Sequence, residues 1–121
     1  MYDILFYKDK NGKSEIRDYL QILKSNPNKD SRIKLAKITS CIDILTKYGT
    51  RIGEPYIKHI EDDIWELRPV RDRILFAYWD NNKFILLSIF MKKTQKTPRR
   101  EIEKAKKYLE DYKNRSDNNE R

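Results

Sequence analysis

The stretch IWELRPVRDRILFAYWDNNKFILLSIFMKK, residues 64–93, decides the fold of this chain. It contains three runs rich in β-branched and aromatic residues, at 64–70, 73–80 and 83–93, and the connections between them are short. The second connection contains two asparagines, which tolerate the positive φ of a tight turn. The stretch therefore predicts a three-stranded antiparallel meander.

The residues before the meander predict one strand followed by a helical hairpin. Residues 2–7 form a β-prone run that ends at a cluster of turn-forming residues. Ser14 is a good N-cap for a first helix that ends near residue 25, and apolar residues at helical spacing predict a second helix over about 30–48. Residues 56–60 fit either a short strand or an irregular lead-in to the meander.

The residues after the meander predict a last helix. Thr97 is a candidate N-cap, and Pro98 suits the first helical position because its missing N–H needs no partner there. Four apolar residues at helical spacing mark the inner face of this helix: Ile102, Ala105, Leu109 and Tyr112. Residues 113–121 contain no apolar side chain, so we expect them to form a frayed polar tail.

These elements predict one α+β domain. The chain has 121 residues, near the usual size of a single domain. The predicted order is β-α-α-β-β-β-α, which is a small, mainly antiparallel sheet with an N-terminal helix hairpin and a C-terminal helix. We expect the domain to span residues 1–112 and the tail to span 113–121.

Loop lengths in the meander predict which side chains share a face of the sheet. Two-residue loops at Arg71-Asp72 and Asn81-Asn82 would place Leu67 opposite Phe76 and Phe76 opposite Leu87. One face would then be the core, formed by Trp65, Leu67, Ile74, Phe76, Tyr78, Ile85, Leu87, Ile89 and Met91. The other face would carry Glu66, Arg68, Arg73, Leu75, Ala77, Leu86, Ser88, Phe90 and Lys92.

Three cations converge at one end of this second face: Arg68, Arg73 and Lys92. Such a cluster can grip a phosphate and neutralise charge that develops on it. A bulge in a strand would instead move Arg68 or Lys92 to the opposite face. Arg68 and Arg73 could also simply pair with Glu66 and with the Asp72 carboxylate at the strand end.

The positive charge of the chain is concentrated after the meander. The net charge is +8, and residues 92–107 alone hold eight basic and two acidic side chains. Lys93, Lys96, Arg99 and Arg100 extend the cationic cluster toward the start of the last helix. This pattern fits either a surface that binds a polyanion or a solvated helix that keeps the protein in solution.

Other reactive residue types offer weaker candidates. His59 is the only histidine, which excludes a two-histidine acid/base mechanism. Cys41 is the only cysteine, which excludes a disulfide framework, and its place on an apolar helical stripe predicts a buried, inert thiol. The carboxylates of residues 61–63 could hold a metal, but neighbouring carboxylates in a turn usually stay solvated. We therefore expect no metal and no cofactor.

Composition also bears on the compartment. A single thiol fits a reducing environment, and no apolar run approaches the roughly 20 residues that a membrane span needs. The N-terminal residues lack the basic and apolar regions of a signal peptide. We therefore expect a cytoplasmic protein without membrane contact.

Several strings in this sequence resemble one known family. The chain reads IWELRPVRDRILFAY at 64–78 and FMKKTQKTPRREIEKA at 90–105. Together with ILFYKDKNGKS at 4–14 and YGTRIGEPYIKHI at 48–60, these strings closely resemble the phage-derived, Gp49-like HigB toxins of the RelE/ParE superfamily.

The resemblance implies the toxin of a type II toxin–antitoxin pair. Such a toxin is a ribosome-dependent endoribonuclease, or mRNA interferase, which cuts mRNA in the ribosomal A site and so inhibits translation. It implies a HigA-type helix-turn-helix antitoxin as partner, with operator DNA bound only through that antitoxin. The cleavage would be metal-independent, with the RNA 2′-hydroxyl as nucleophile.

The resemblance also implies roles for individual residues. By position, the working side chains of RelE-like relatives match Arg68, Arg73 and Lys92 or Lys93. We further expect Lys96, Arg99 and Arg100 to hold the RNA backbone or ribosomal RNA. The best-known relatives carry a tyrosine in the last helix where this chain has Glu101, which leaves the general base unassigned. Glu66 could act as that base or could orient Arg68, and we favour orientation because an ionised carboxylate beside cations is a weak base.

Two other functional classes remain open from the sequence. A ParE-like toxin would share the fold but inhibit DNA gyrase without catalysis, although such a protein has no need of convergent arginine and lysine residues. A non-enzymatic regulator that acts only with the antitoxin as a corepressor is the third class.

Overall fold

The computed structural model describes residues 1–119 as an α+β fold. The strands are β1 (Asp3–Phe6), β2 (Ile57–Glu61), β3 (Ile64–Leu67), β4 (Asp72–Trp79) and β5 (Lys83–Met91), and the helices are α1 (Glu15–Ser25), α2 (Lys29–Tyr48) and α3 (Arg99–Asn119). A short 3₁₀ helix (Gly49–Ile52) follows α2. The predicted fold class and helix hairpin are confirmed.

One five-stranded sheet forms the centre of the fold, in the order β1-β5-β4-β3-β2. Neighbouring strands are antiparallel except β1, which pairs parallel to β5. The ambiguous segment at 56–60 is strand β2, because Ile57 is buried in the core and pairs with Leu67. The chain therefore has one strand more than the predicted order, which becomes β-α-α-β-β-β-β-α.

Both faces of the sheet are buried, whereas the sequence pattern predicted a single core face. The helix hairpin covers one face, where Ile16, Ile38 and Leu45 pack against Phe76. Helix α3 covers the other face and packs on it through Ala105 and Leu109. Strands covered on both sides need apolar residues at consecutive positions, which explains the unbroken runs in β4 and β5.

The register of β4 and β5 differs from the prediction at two places. The turn between them has three residues, so Trp79 pairs with Lys83, and a bulge at Leu87 then separates the pairs Phe76–Leu86 and Leu75–Ser88. Between turn and bulge, the side chains of β5 therefore lie on faces opposite to those predicted. Beyond the bulge the two differences cancel, and the residues nearest the cationic cluster have the predicted partners.

The turn between β3 and β4 also differs from a two-residue loop. Leu67 pairs with Ile74 rather than with Phe76. A shift of two residues leaves every side chain on its predicted face, because side chains alternate along a strand. Glu66 and Arg73 therefore remain on one face of the sheet.

Helix α3 is longer at its C-terminal end than the sequence indicated. It continues to Asn119, past the expected boundary at residue 112. Contacts of Lys113 with the Trp79 ring and of Arg115 with the Tyr7 ring tie this part of the helix to the sheet. The last two residues of the predicted tail lie outside the described residues.

At its start, α3 lacks the predicted threonine cap. The Thr97 hydroxyl donates to the Glu66 carboxylate instead, and the carbonyl of Pro98 accepts from the amides of Glu101 and Ile102. No helix in the described residues 1–119 is both long enough and apolar enough to cross a membrane.

Gly49 provides a test of the junction between α2 and the sheet. It has φ of +64°, and an added Cβ would lie 2.8 Å from ring atoms of Tyr2, which packs against Phe84. We expect Gly49→Ala to lower the free energy of unfolding by about 2–4 kcal/mol, from the strained backbone and from overpacking. Urea unfolding measures this loss.

Gly12→Ala is the matched control. Gly12 also has positive φ, +83°, but nothing lies within 4 Å of its added Cβ. We expect a loss of only about 1 kcal/mol from the backbone conformation. Equal losses in the two variants would show that the Tyr2 ring moves freely.

Candidate active site

The candidate site lies where β3, β4 and β5 end beside the start of α3. Arg73, at the start of β4, is 7% exposed. Its Nη1 donates to the carbonyls of Val70 at 2.7 Å and Asp72 at 2.9 Å. Burial lowers the pKa of the Arg73 guanidinium from its ordinary value. The turn before β4 therefore holds this side chain in one orientation.

Glu66 joins the two arginines of the site. It is 1% exposed, its Oε1 accepts from Arg68 Nε at 2.9 Å, and the same oxygen lies 3.8 Å from Arg73 Nε. Its Oε2 accepts from the Thr97 hydroxyl at 2.6 Å. Both carboxylate oxygens are thus engaged, which agrees with an orienting role for Glu66.

A small cleft lies within this cluster, and the four predicted catalytic residues are among those that line it. Its lining is Glu66, Arg68, Arg73, Phe90, Lys92, Lys93, Thr94, Gln95, Lys96, Thr97 and Pro98. The three lysines are exposed, and none lies within 4 Å of a carboxylate among the described residues. The cleft therefore combines the buried guanidinium of Arg73 and the partly buried guanidinium of Arg68 with uncompensated ammonium groups at its rim.

The other two predicted binding residues point to different partners. Arg99 pairs with Glu61 on β2 and with Glu103 at 3.0 Å, and Arg100 lies 3.7 Å from Glu101. Neither arginine lines the cleft. Their positive charge is partly compensated by these carboxylates. Of the three predicted binding residues, only Lys96 lines the cleft.

Comparison with known protein families identifies the family of this chain. The profile described as "Phage derived protein Gp49-like (DUF891)" matches residues 22–110, which is most of the sequence. The chain belongs to this family. The match includes every residue that lines the cleft and leaves out strand β1. No curated protein matches the sequence.

Two solved structures share the fold of this Gp49-like protein. Both are toxin–antitoxin structures from Staphylococcus aureus: a YoeB-YefM complex, and a heterotetrameric YoeB-YefM complex. The first covers 77% of this chain and 99% of the matched chain at 14% identity, and the second covers 78% and 98% at 15% identity; the TM-score is 0.52 for each. At these identities the comparison shows that the fold is shared.

Thr97 is a site residue that sequence reasoning missed. Its T-P string is typical of a helix start, and its partner Glu66 is 31 positions away in the sequence. No local pattern signals such a contact. Phe90 was assigned to the correct face but without a role in the cleft, where it forms part of the lining.

The weaker candidates of the Gp49-like chain lie elsewhere. His59 contacts the Asp62 carbonyl at 2.7 Å and the Trp65 ring, outside the cleft. Cys41 is buried, and burial raises the pKa of its thiol, as expected for an inert cysteine. Glu101 lies 3.3 Å from Lys104 rather than in the cleft.

The acidic cluster at residues 61–63 is bound to the last helix. Lys106 pairs with Glu61 and with Asp62, and Lys113 lies 3.6 Å from Asp63. The hydrogen bond from Lys106 lowers the pKa of the Glu61 carboxyl. Within residues 1–119, no group of three or more histidine, cysteine or carboxylate side chains is arranged to hold a metal ion.

Replacing Glu66 tests whether the buried carboxylate holds the cluster. Glu66→Gln keeps the shape but removes the charge that both arginines face, so we expect the free energy of unfolding to fall by about 2–3 kcal/mol. Glu103→Gln, which removes an exposed partner of Arg99, should cost about 0–0.5 kcal/mol. Similar small losses in both variants by urea unfolding would contradict the central role of Glu66.

Proposed function

We propose that this Gp49-like protein is a HigB-type toxin of a type II toxin–antitoxin system and acts as a ribosome-dependent mRNA endoribonuclease. The observation that carries the proposal is the cleft in which one buried carboxylate bonds Arg68, lies 3.8 Å from Arg73 and adjoins exposed lysines. The similarity of the fold to toxins solved with their antitoxins supports the same reading.

The cleft suits cleavage of RNA without a metal. The 2′-oxygen forms a bond to the neighbouring phosphorus, the bond from phosphorus to the 5′-oxygen breaks, and the products are a 2′,3′-cyclic phosphate and a 5′-hydroxyl. Arg73 and Arg68 would stabilise the negative charge on the phosphorane. Lys92 or Lys93 would hold the phosphate or protonate the leaving 5′-oxygen.

None of the cleft residues assigned so far serves as the general base that would take the proton of the 2′-hydroxyl. Glu66 already accepts hydrogen bonds on both oxygens, from Arg68 and from Thr97. We therefore assign it to orientation of Arg68. Activation of the 2′-hydroxyl by a group of the ribosome or of the RNA itself is consistent with a reaction that requires the ribosome.

The rim of the cleft supplies the contacts for a polyanion. Lysines without a carboxylate partner release counterions from phosphates at little cost, because no internal ion pair has to break. Lys96 is such a residue, and we propose that it contacts the RNA or ribosomal RNA. Arg99 and Arg100 would add weaker contacts, since their charges are shared with Glu61 and Glu101.

The proposal includes partners and a compartment. A cognate HigA-type antitoxin with a helix-turn-helix domain would neutralise the protein, and operator DNA would be bound through that antitoxin. The ribosome and mRNA place the activity in the cytoplasm.

Induced expression without the antitoxin tests this function in cells. We expect growth arrest with loss of translation and new mRNA 5′ ends that appear only in translated messages. Growth arrest in which the mRNA stays intact but the DNA is broken would instead indicate the ParE-like inhibition of gyrase. Normal growth with abundant folded protein would refute both toxin functions.

The role of Arg73 is tested by single-turnover cleavage on saturating ribosomes. We expect Arg73→Gln to reduce this rate by about 10²–10³-fold, the usual loss for one donor that stabilises a developing oxyanion. Thermal melts must accompany the rate, because Arg73 is buried and bonds the turn before β4.

Lys107→Ala is the control for this measurement. Lys107 is an exposed cation of α3 outside the cleft, so its loss should leave the rate on saturated ribosomes unchanged. An Arg73→Gln variant that remains folded and cleaves at the wild-type rate would show that the active site is wrongly assigned.

A further inference from the structure

We propose that Tyr19, Asp72 and Lys34 form a polar relay that positions Arg73 from the opposite face of the sheet. These residues belong to three elements, α1, β4 and α2, and none of them lines the cleft. The inference rests on the proposed function only for its rate measurement; the position of Arg73 can be observed directly.

The relay consists of two hydrogen bonds in series. The Lys34 ammonium donates to the Tyr19 hydroxyl at 3.2 Å, and that hydroxyl donates to Asp72 Oδ1 at 3.1 Å. Asp72 is 2% exposed and, among the described residues, has no cation within ion-pair distance. The Tyr19 hydroxyl is thus its side-chain donor on this face of the sheet.

Protonation states favour this direction of the bonds. Burial raises the pKa of the Tyr19 phenol, which keeps its proton available for Asp72. The hydrogen bond to Tyr19 raises the pKa of Lys34 and keeps the ammonium charged. Each group therefore donates toward the buried carboxylate.

The backbone connects Asp72 to Arg73. The carbonyl of Asp72 accepts from Arg73 Nη1 at 2.9 Å, and its amide donates to the Pro69 carbonyl at 3.0 Å across the turn. That turn contains Val70, whose carbonyl is the second acceptor for Arg73 Nη1, at 2.7 Å. The hydrogen bond from Tyr19 to Asp72 therefore helps to fix the turn and, with it, the carbonyls of Val70 and Asp72 that orient the Arg73 guanidinium.

The conformation of Val70 shows that this turn is held against a local preference. Val70 has φ of +53°, a left-handed conformation that is unusual for a β-branched residue. Val70 is 66% exposed, so burial of the valine does not offset the strain. Bonds to the flanking residues must do so, and they include the turn bond of Asp72 and a bond from the Lys92 amide to the Arg71 carbonyl at 2.8 Å.

A purely structural role predicts a different choice of side chain at position 72. A buried carboxylate whose side-chain donor is one neutral hydroxyl costs stability, and an apolar residue there would pack at lower cost. A positioning role accounts for a buried carboxylate at the residue next to the arginine of the cleft. The two roles differ in what happens to Arg73 when the relay is cut.

Tyr19→Phe cuts the relay with minimal change in volume. The readout is the ¹H–¹⁵N resonance of Arg73 Nε, assigned by its loss in Arg73→Lys. We expect this resonance to shift in Tyr19→Phe. We also expect the single-turnover cleavage rate on saturated ribosomes to fall on the order of tenfold while ribosome affinity stays unchanged, because small misplacement of a catalytic group lowers the rate and not binding. Asp72→Asn keeps an acceptor for the tyrosine, whereas Asp72→Leu removes it. We therefore expect the Arg73 resonance and the cleavage rate to lie closer to wild type in Asp72→Asn than in Asp72→Leu.

Tyr108→Phe is the matched control. The Tyr108 hydroxyl also donates to a carboxylate, that of Glu15, but it links α3 to α1 away from the cleft. This variant should lose comparable stability and leave the Arg73 resonance and the rate unchanged.

The outcomes separate this inference from the proposed function. An Arg73 resonance that stays in place in folded Tyr19→Phe overturns the relay, whatever the cleavage assay shows. A shifted resonance in a protein whose wild type cuts no mRNA refutes the endoribonuclease and leaves the positioning of Arg73 established. If Tyr19→Phe does not fold, Lys34→Met cuts the outer bond of the relay, and the same resonance decides.

Discussion

The buried carboxylate of Glu66 is the constraint on which the candidate site depends. A buried anion must be compensated, and here the compensating groups come from three parts of the chain: Arg68 follows β3, Arg73 is the second residue of β4, and Thr97 precedes α3. The contact with Thr97 therefore also sets where the last helix begins. Without this carboxylate, two neighbouring guanidinium groups would repel each other, and the loop before α3 would lose its polar anchor.

The double burial of the sheet explains why the cations gather at this end. Helix α3 must return over the face that the hairpin leaves open, so the segment between β5 and α3 crosses the end of the sheet. That segment carries Lys92, Lys93 and Lys96, which line the same cleft as Arg73. Packing of the apolar face of α3 on the sheet thus displays the lysines beside the arginines, and the hairpin on the opposite face reaches the same turn through Asp72.

Alternation along the strands is the part of the site that the sequence could predict. It placed Glu66, Arg68, Arg73 and Lys92 together, and it tolerated errors in loop length, because a two-residue shift keeps each side chain on its face. The three-residue turn and the bulge at Leu87 could not be foreseen, and they cancel only beyond the bulge. Contacts between distant segments, such as Thr97 with Glu66, have no local sequence signal at all.

Charge counted along the sequence overstates the cationic surface of the last helix. Of the eight basic residues in 92–107, Arg99, Arg100, Lys104 and Lys106 pair with carboxylates, so the uncompensated charge lies mainly in the loop that borders the cleft. Within the cleft, Glu66 reduces the attraction of the arginines for a phosphate in its ground state. It also fixes the orientation of Arg68 before any ligand arrives, as the carbonyls of Val70 and Asp72 do for Arg73. For the proposed cleavage this exchange is favourable, because fixed donors stabilise the additional charge of the transition state more than they stabilise the bound substrate.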